Sequence, residues 1–462
     1  MIRIFRHYLS NAYVGLFIAE FSMLFGAMYM GTELRFFYSS SWYSDEYIIL
    51  SSSIFSTVTT ISNVGLGLYR RSLSWDDYHL VSRIAVSFFS SMIVLLVIYY
   101  SFPEFKIARS VLIYTFAIAF LGMLFCRYLF YKYVNHLKLK KRILVIGVGK
   151  NANHLVNSND NYIHRGFIVS ACLAINESNV AVTNHKIISN YESILSVVKQ
   201  LDIDEIVLAL DDRRCTFPMD DLLDCKVYGI DVVDLLTFYE REKSMIDLDN
   251  IYPSWFVFSD GFGTGGMRVF GKRTVDLLAS FLLLTVSWPF MLIVACAIYI
   301  ESGFKGPILY RQTRVGEHDQ DFNVIKFRSM RTDAELNGAQ WAQENDKRIT
   351  RVGAIIRKIR LDELPQIWNV FRGHMSFVGP RPERPEFVNE FDKMIPYYRK
   401  RHRVKPGITG WAQLCYPYGA NEYDAIQKLQ YDLYYVKNYS LFLDITIIIH
   451  TIEVILWGKG AR

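Results

Sequence analysis

Apolar stretches of membrane-spanning length constrain this chain more than any other feature. Four lie near 9–31, 47–68, 82–100 and 110–131, each close to the roughly 20 residues a helix needs to cross about 30 Å of hydrocarbon. The second, rich in Ser and Thr, is the weakest. Their flanks alternate in charge. Arg3 and Arg6 precede the first stretch, Glu33, Asp45 and Glu46 follow it, Arg70 and Arg71 follow the second, and a basic run from Lys132 to Arg142 follows the fourth. The positive-inside rule therefore puts both ends of this module, residues 1–138, in the cytoplasm. No small-residue cleavage site follows the basic N-terminus, so the first stretch is expected to stay in the mature protein. Composition agrees with membrane contact: 51% of the 462 residues are apolar and only 21% are charged, below the roughly 25% typical of soluble domains.

From Lys141 the pattern changes to short β-rich runs, 142–147, 166–173 and 205–210, interleaved with helical patterns such as 191–201. That alternation predicts a Rossmann-like parallel α/β domain over 139–250. Its first strand runs into Gly147-Val148-Gly149, part of the glycine turn that lets a helix N-terminus approach a phosphate. The fingerprint is incomplete, because Ala152 stands where a third glycine is expected and no acidic residue closes the second strand. Dinucleotide binding and a packing or regulatory role both stay open for this domain. Six cysteines are scattered without a CxxC pair, which suits reduced thiols in a cytoplasmic setting.

Residues 251–267, with Gly261, Gly263, Gly265 and Gly266 close together, read as a linker. The unit beyond it, 268–462, opens with Lys272-Arg273-Thr274-Val275-Asp276 and feeds an apolar stretch to Ile300, interrupted by Trp288-Pro289. A straight helix of that length would measure about 39 Å, enough to cross. Crossing would carry everything after it away from the cytoplasmic α/β domain. Yet both flanks are basic: Lys305, Arg311, Arg314, Lys326 and Arg328 follow, so the charge rule wants both ends on one side. A re-entrant hairpin over about 271–300 resolves the conflict, with Pro289 breaking the helix and Ser287 bonding back to a freed carbonyl.

The segment 326–381 concentrates charge unlike anything before it, with cations surrounding one acidic pair, Asp362-Glu363. The net charge of +6 suits an anionic partner, but no nucleic-acid reading motif is present and a four-span anchor makes that role awkward. Phosphoryl transfer between two anions requires positive charge on the non-bridging oxygens and an oriented nucleophile. Arginines meet the first need with a planar fork that grips phosphate oxygens in pairs. Asp362 can meet the second by attacking phosphorus, with an oxygen-ligated Mg²⁺ reducing the repulsion and Glu363 tuning the metal or accepting a proton.

In order, the chain carries KR-x-x-D, a proline-interrupted apolar stretch, GP-x-x-Y-x-Q-x-R-x-G, KFRSM, D-x-RITRVG, LDELPQ-x-x-NV, MS-x-VGPRPE and KPGITG-x-AQ. This set resembles the bacterial sugar transferase, or polyprenyl glycosylphosphotransferase, family over about 268–462. The N-terminal module and α/β domain resemble its long-form members, which initiate exopolysaccharide, capsule or O-antigen synthesis. The resemblance implies a membrane α/β protein made of a four-helix transmembrane module, a Rossmann-like domain and an α-rich catalytic domain carrying the re-entrant hairpin. It implies transfer of sugar-1-phosphate from UDP-hexose to undecaprenyl phosphate, a polyprenyl phosphate, with release of UMP. It implies Asp362 as nucleophile and Mg²⁺ ligand, Glu363 as its acidic partner, and Arg357 and Arg381 near the phosphates, with Lys326 and Arg328 as weaker phosphate candidates. Lys272, Arg273 and Asp276 match the opening motif at the membrane surface and Pro289 the helix-breaking proline. A departure is Trp288, where the family has serine. The expected location is the bacterial inner membrane, in contact with its lipids, with the catalytic domain on the cytoplasmic face. Homo-oligomerisation is compatible with the sequence. The tail 441–457 is apolar but contains Asp444, His450 and Glu453, as an interfacial helix would.

Overall fold

A computed structural model of the full chain describes residues 2–4, 7–9, 11–36, 44–66, 68–69, 78–105, 107–133, 140–157, 167–175, 181–182, 186–211, 218–251, 255–256, 259, 261–262, 266–332, 334, 348–416 and 421–456. Arg3 is described, whereas Arg6, Arg70, Arg71, Gly263, Gly265, Asp346, Lys347 and Pro417 to Gly419 lie outside these residues. The chain divides into two compact units. The first comprises residues 1–4 and 8–243 and the second residues 5–7 and 244–462.

In the first unit the apolar stretches become four helices: α1 (Asn11–Phe36), α2 (Asp45–Gly65), α3 (Tyr78–Ser101) and α4 (Arg109–Tyr133). All four are long and apolar enough to cross a membrane. Ser44 caps α2, its side chain accepting from the Tyr47 amide, with Asp45 and Glu46 in the first turn to complement the helix dipole. The weak hydropathy of α2 has a structural cause: Ser51, Ser52, Ser56, Thr59, Thr60 and Asn63 are its buried face, while Ile49, Leu50 and Ile61 are exposed. This is the reverse of a soluble amphipathic helix. Leu24, Met28, Phe55, Ile84, Val111 and Met123 form the shared apolar core. One ion pair is fully buried within it, Arg127 Nε to Glu20 Oε1 at 2.9 Å, and Arg127 also donates to the Leu68 carbonyl at 2.7 Å. Pairing makes charge tolerable where no water can solvate it.

The same unit contains the α/β fold. Strands β1 (Lys141–Ile146), β2 (Phe167–Leu173), β3 (Ile187–Ile188), β4 (Glu205–Leu208) and β5 (Asp231–Asp234) form one sheet in the order β3-β2-β1-β4-β5, with every pair parallel. This is the doubly wound order, and the three strands read from the sequence are at its centre. Helices α5 (Lys150–Asn157), α6 (Ile194–Leu201), α7 (Met219–Val227) and α8 (Leu235–Lys243) follow strands or connect them. The sheet's two faces bury separate clusters, Ile143, Val145, Val207 and Phe238 on one and Leu144, Ile146, Ile194 and Val198 on the other, as a parallel sheet covered on both sides requires. Residues 244–250, expected with this domain, lie in the second unit, where the Ile246 amide donates to the Gln430 carbonyl at 3.1 Å.

Within the second unit α9 (Gly266–Glu301) runs for 36 residues without interruption. The sequence led us to expect a hairpin broken at Pro289. The structure has Pro289 inside one continuous helix. Ser287 does not bond back to a carbonyl; its hydroxyl donates to Met291 Sδ at 3.7 Å, and Thr285 bonds back to the Phe281 carbonyl at 2.9 Å. A proline removes one bond and one donor, and a helix embedded in contacts on either side can continue through that loss. Lys272, Asp276, Ser280, Ser287, Val294 and Ile298 form a buried stripe, while Phe281, Leu282, Val286, Trp288, Phe290 and Ile293 are exposed. An apolar surface of that extent is unfavourable in water.

Beyond α9 an antiparallel ribbon of β6 (Leu309–Val315) and β7 (Asp321–Phe327) pairs Tyr310 with Lys326. Next come α10 (Arg351–Lys358), a 3-10 turn (Leu361–Gln366), α11 (Ile367–Arg372), β8 (Ser376–Val378), α12 (Pro385–Met394) and β9 (Gly407–Thr409). Helices α13 (Glu422–Asn438) and α14 (Leu441–Leu456) follow. Strands β8 and β9 pair in parallel, Ser376 with Gly407 and Val378 with Thr409. The two backbones pass so closely that a Cβ on Gly379 would collide with the Lys405 carbonyl and one on Gly407 with the Gly379 amide. That explains the glycines of the VGPRP and KPGITG segments.

Candidate active site

The acidic pair sits where several of these elements meet. Thr350 caps α10 by accepting from the Gly353 amide at 2.9 Å, and the Thr350 amide donates to the Ser329 carbonyl at 3.1 Å. This docks the RITRVG segment on the KFRSM segment. Helix α10 ends in Arg357 and Lys358, and Arg360 then takes a left-handed conformation (φ 60°). That conformation is uncommon for a residue with a side chain. It turns the chain into the 3-10 turn that carries Asp362 and Glu363. Asn369 fixes the far side of this turn to the ribbon: its side chain donates to the Asn323 carbonyl at 2.7 Å and accepts from the Ile325 amide at 3.0 Å. The amide side chain completes a strand edge that backbone alone leaves open.

Lys326 therefore projects from the end of β7 toward the acidic pair. Glu363 Oε1 accepts from Arg381 Nη2 at 3.0 Å and lies 3.4 Å from Lys326 Nζ. Burial by itself raises the Glu363 pKa, but the Arg381 and Lys326 cations prevail and hold it at about 2. Glu363 is ionised at any physiological pH. Lys326 is pushed below its ordinary value by burial first and by Arg381 and Arg314 next, against the pull of Glu363.

Asp362 is different. Among the described residues its carboxylate makes no hydrogen bond and no ion pair. Its pKa is raised, first by burial and then by the negative charge of Glu363, with Lys326, Arg357 and Arg360 acting in the opposite sense. A half-buried carboxylate that is more basic than usual and has no partner among the described residues is suited to attack an electrophile.

The loop carrying Arg381 is held through its backbone. Arg314, from β6, donates to the Pro382 carbonyl at 3.1 Å and lies 3.5 Å from a Glu383 oxygen. Arg401 donates to the Arg381 carbonyl at 3.0 Å while buried against Asp432 at 2.7 Å and the Tyr398 hydroxyl at 2.7 Å. The structure thus gathers Asp362, Glu363, Lys326, Arg381 and Arg357, and adds Arg314, Arg360, Arg401 and Asn369, which sequence reasoning did not single out as site residues. Alternation along Tyr310-x-Gln312-x-Arg314 was a usable signal for Arg314. Arg401 lies within the run Arg399 to Arg403 and reads there as surface charge.

Other expected site residues are engaged elsewhere. Arg328 is buried with its guanidinium against the Ser302 hydroxyl. Arg273 donates to the carbonyls of Val370 and Phe371, each at 2.7 Å, satisfying the C-terminus of α11 with a cation. Asp276 accepts from the Ser376 hydroxyl at 3.0 Å and the Phe377 amide at 3.1 Å. Lys272 is buried against Asp444 at 2.7 Å and the Val378 carbonyl at 3.0 Å, and Tyr435 donates to the other Asp444 oxygen at 2.6 Å. The partners of this opening motif are protein groups, and Asp444 of the apolar tail serves as one of them.

Among the described residues no group of three or more His, Cys, Asp and Glu side chains could hold a metal. A site for Mg²⁺ would rest on Asp362, whose two oxygens are unpartnered. That fits an ion that commonly takes one or two protein carboxylates and fills its remaining positions with water and substrate phosphate.

A family model described as bacterial sugar transferase matches residues 267–458, and one described as CoA-binding domain matches residues 65–215. The chain is 50% identical over 193 residues to a UDP-N-acetylgalactosamine-undecaprenyl-phosphate N-acetylgalactosaminephosphotransferase of Aeromonas hydrophila, covering 42% of this chain and 45% of the relative. It is 43% identical over 196 residues to an undecaprenyl-phosphate glucose phosphotransferase of Komagataeibacter xylinus, covering 41% and 36% respectively. The alignments thus span less than half the length of these two relatives. Over 386 residues it is 30% identical to an uncharacterized sugar transferase of Haemophilus influenzae, covering 78% of this chain and 79% of the relative.

Proposed function

Because the chain belongs to the bacterial sugar transferase family, we propose that it moves sugar-1-phosphate from a UDP-hexose to undecaprenyl phosphate through a covalent intermediate on Asp362. The observation that carries this reading is the contrast within one turn: Glu363 clamped by Arg381 and Lys326, and Asp362 beside it with no hydrogen-bond or ion-pair partner among the described residues.

In the first step an Asp362 oxygen forms a bond to the sugar-bearing phosphorus, the bridging P–O bond breaks, and UMP leaves with that electron pair. In the second, an oxygen of undecaprenyl phosphate attacks the same phosphorus and the Asp362 carboxylate is released, giving a polyprenyl diphosphate sugar. Arg357 and Arg381 neutralise the non-bridging oxygens. Glu363 holds Arg381 and Lys326 in register and, by its own charge, keeps Asp362 basic. Mg²⁺ held by Asp362 and substrate phosphate would supply the charge that lets one anion approach another.

The membrane arrangement supports the same reading. Four helices anchor the first unit, and α9 presents an apolar face with basic residues at both ends. We take the exposed apolar face of α9 to lie in the inner membrane and the rest of the unit to stand on its cytoplasmic face, placing Asp362 where a soluble donor and a lipid acceptor meet. The test is purified protein in lipid nanodiscs with UDP-hexose, Mg²⁺ and undecaprenyl phosphate. A sugar-phosphate adduct should be trapped on Asp362 when the lipid acceptor is withheld. Accumulating lipid product with no adduct at any time would replace this path with direct displacement.

A further inference from the structure

The α/β domain ends its first strand in the turn on which dinucleotides and coenzyme A rest their phosphates in doubly wound folds, and the model matching 65–215 is described as CoA-binding. The residues here do not fit that ligand. Gly147 (φ 125°) makes the turn and α5 starts at Lys150, so the first free amides of the helix point to the crevice between β1 and β4. They are already taken. The Lys150 amide donates to Asp211 Oδ2 at 2.7 Å and the Asn151 amide to Asp211 Oδ1 at 2.8 Å.

Asp211 follows β4 by three residues, beyond the strand's carboxyl end. Its backbone is held there too, since the Asn151 side chain donates to the Leu210 carbonyl at 3.3 Å. The carboxylate lies so close to the turn that a Cβ on Gly149 would collide with it. Gly149 is thus required to admit the protein's own anion, the same demand a bound pyrophosphate makes in related folds. An arriving phosphate would meet occupied donors and a fixed negative charge. We infer that Asp211 is a built-in substitute for the ligand phosphate, and that this domain keeps its fold without coenzyme A or a dinucleotide at this position.

The test uses the full-length protein in detergent and is independent of sugar-phosphate transfer. Equilibrium dialysis against labelled coenzyme A and against NAD⁺ should show no saturable binding to the wild type; saturable binding of either overturns the inference. Asp211→Ala should melt at a lower temperature and regain part of the loss in millimolar inorganic phosphate, which leaves the wild type unmoved. An Asp211→Ala protein of unchanged melting temperature also overturns it. Should that variant fail to accumulate, Gly149→Ala gives the reading, because a methyl group there must displace the carboxylate. A clear drop in its melting temperature is expected, and none would refute the assignment.

Discussion

Asp211 and Asp362 meet their surroundings in opposite ways. The first receives two backbone amides and closes a helix end; the second sits beside a cation cluster and receives none of its bonds, because Glu363 takes them. A carboxylate whose lone pairs are spent on donors is stabilised and unreactive, and one that is desolvated beside a like charge keeps its basicity. The comparison teaches that charge near an aspartate says little about its use. What matters is which oxygen the donors point at.

The sharpest way to break the contrast is Asp362→Asn. It preserves shape and removes the nucleophile, and turnover measured as labelled UMP release should fall on the order of 10⁴-fold or more, as when a covalent nucleophile is removed elsewhere. Retained turnover would put Asp362 on the same footing as Asp211. Next in size, Arg381→Ala should cost roughly 10²-fold in kcat, the scale of a lost donor to transition-state charge, with the circular dichroism spectrum unchanged. Arg381→Lys should recover only part, because a point charge does not reproduce the fork.

A smaller and more specific effect concerns pH. Asp362 attacks only when ionised, and burial and the Glu363 charge raise its pKa above the usual aspartate value, so kcat/KM should fall on the acid side through that raised value. Glu363, held at about 2, adds no second acid limb there. Replacing it by Gln removes the like charge and frees Lys326 and Arg381 to face Asp362, and both changes lower the Asp362 pKa. The acid limb of the residual activity should therefore move to lower pH; movement the other way would contradict the arrangement. Folding stability carries the matching sign. The depressed Glu363 pKa contributes stability that is complete above about 4.5 and is lost as pH falls toward about 2. The smallest effect belongs to Asp211→Ala, which should cost about 1 kcal/mol of stability, typical of a lost N-terminal cap, without changing UMP release.

The gathering of Asp362, Glu363, Lys326 and Arg381 and the three central strands were legible because each is encoded within a few residues: a motif, or a short continuous apolar run. The opening motif was legible as a pattern but not in its contacts. Lys272 finds Asp444 across 172 positions, and no local rule links a lysine at one apolar segment to an aspartate in another. Asn369 stood within LDELPQ-x-x-NV without a role, because its duty, completing a strand edge, is visible only once β7 lies beside it. The proline was legible too, and misled: its cost is local, while the continuity of α9 is decided by contacts on both sides of it. In α2 the Ser and Thr content lowered hydropathy, because hydropathy cannot tell a polar face turned inward from one turned to water.

The Lys272 to Asp444 link has a consequence for biogenesis. The cation stands near the start of α9, while its counter-ion is made 172 positions later. Until then the lysine must stay solvated, because an ammonium buried without its counter-ion is costly. Closure of this part of the fold is thereby deferred until α14 has been made, so it follows the synthesis of every element between Lys272 and Asp444.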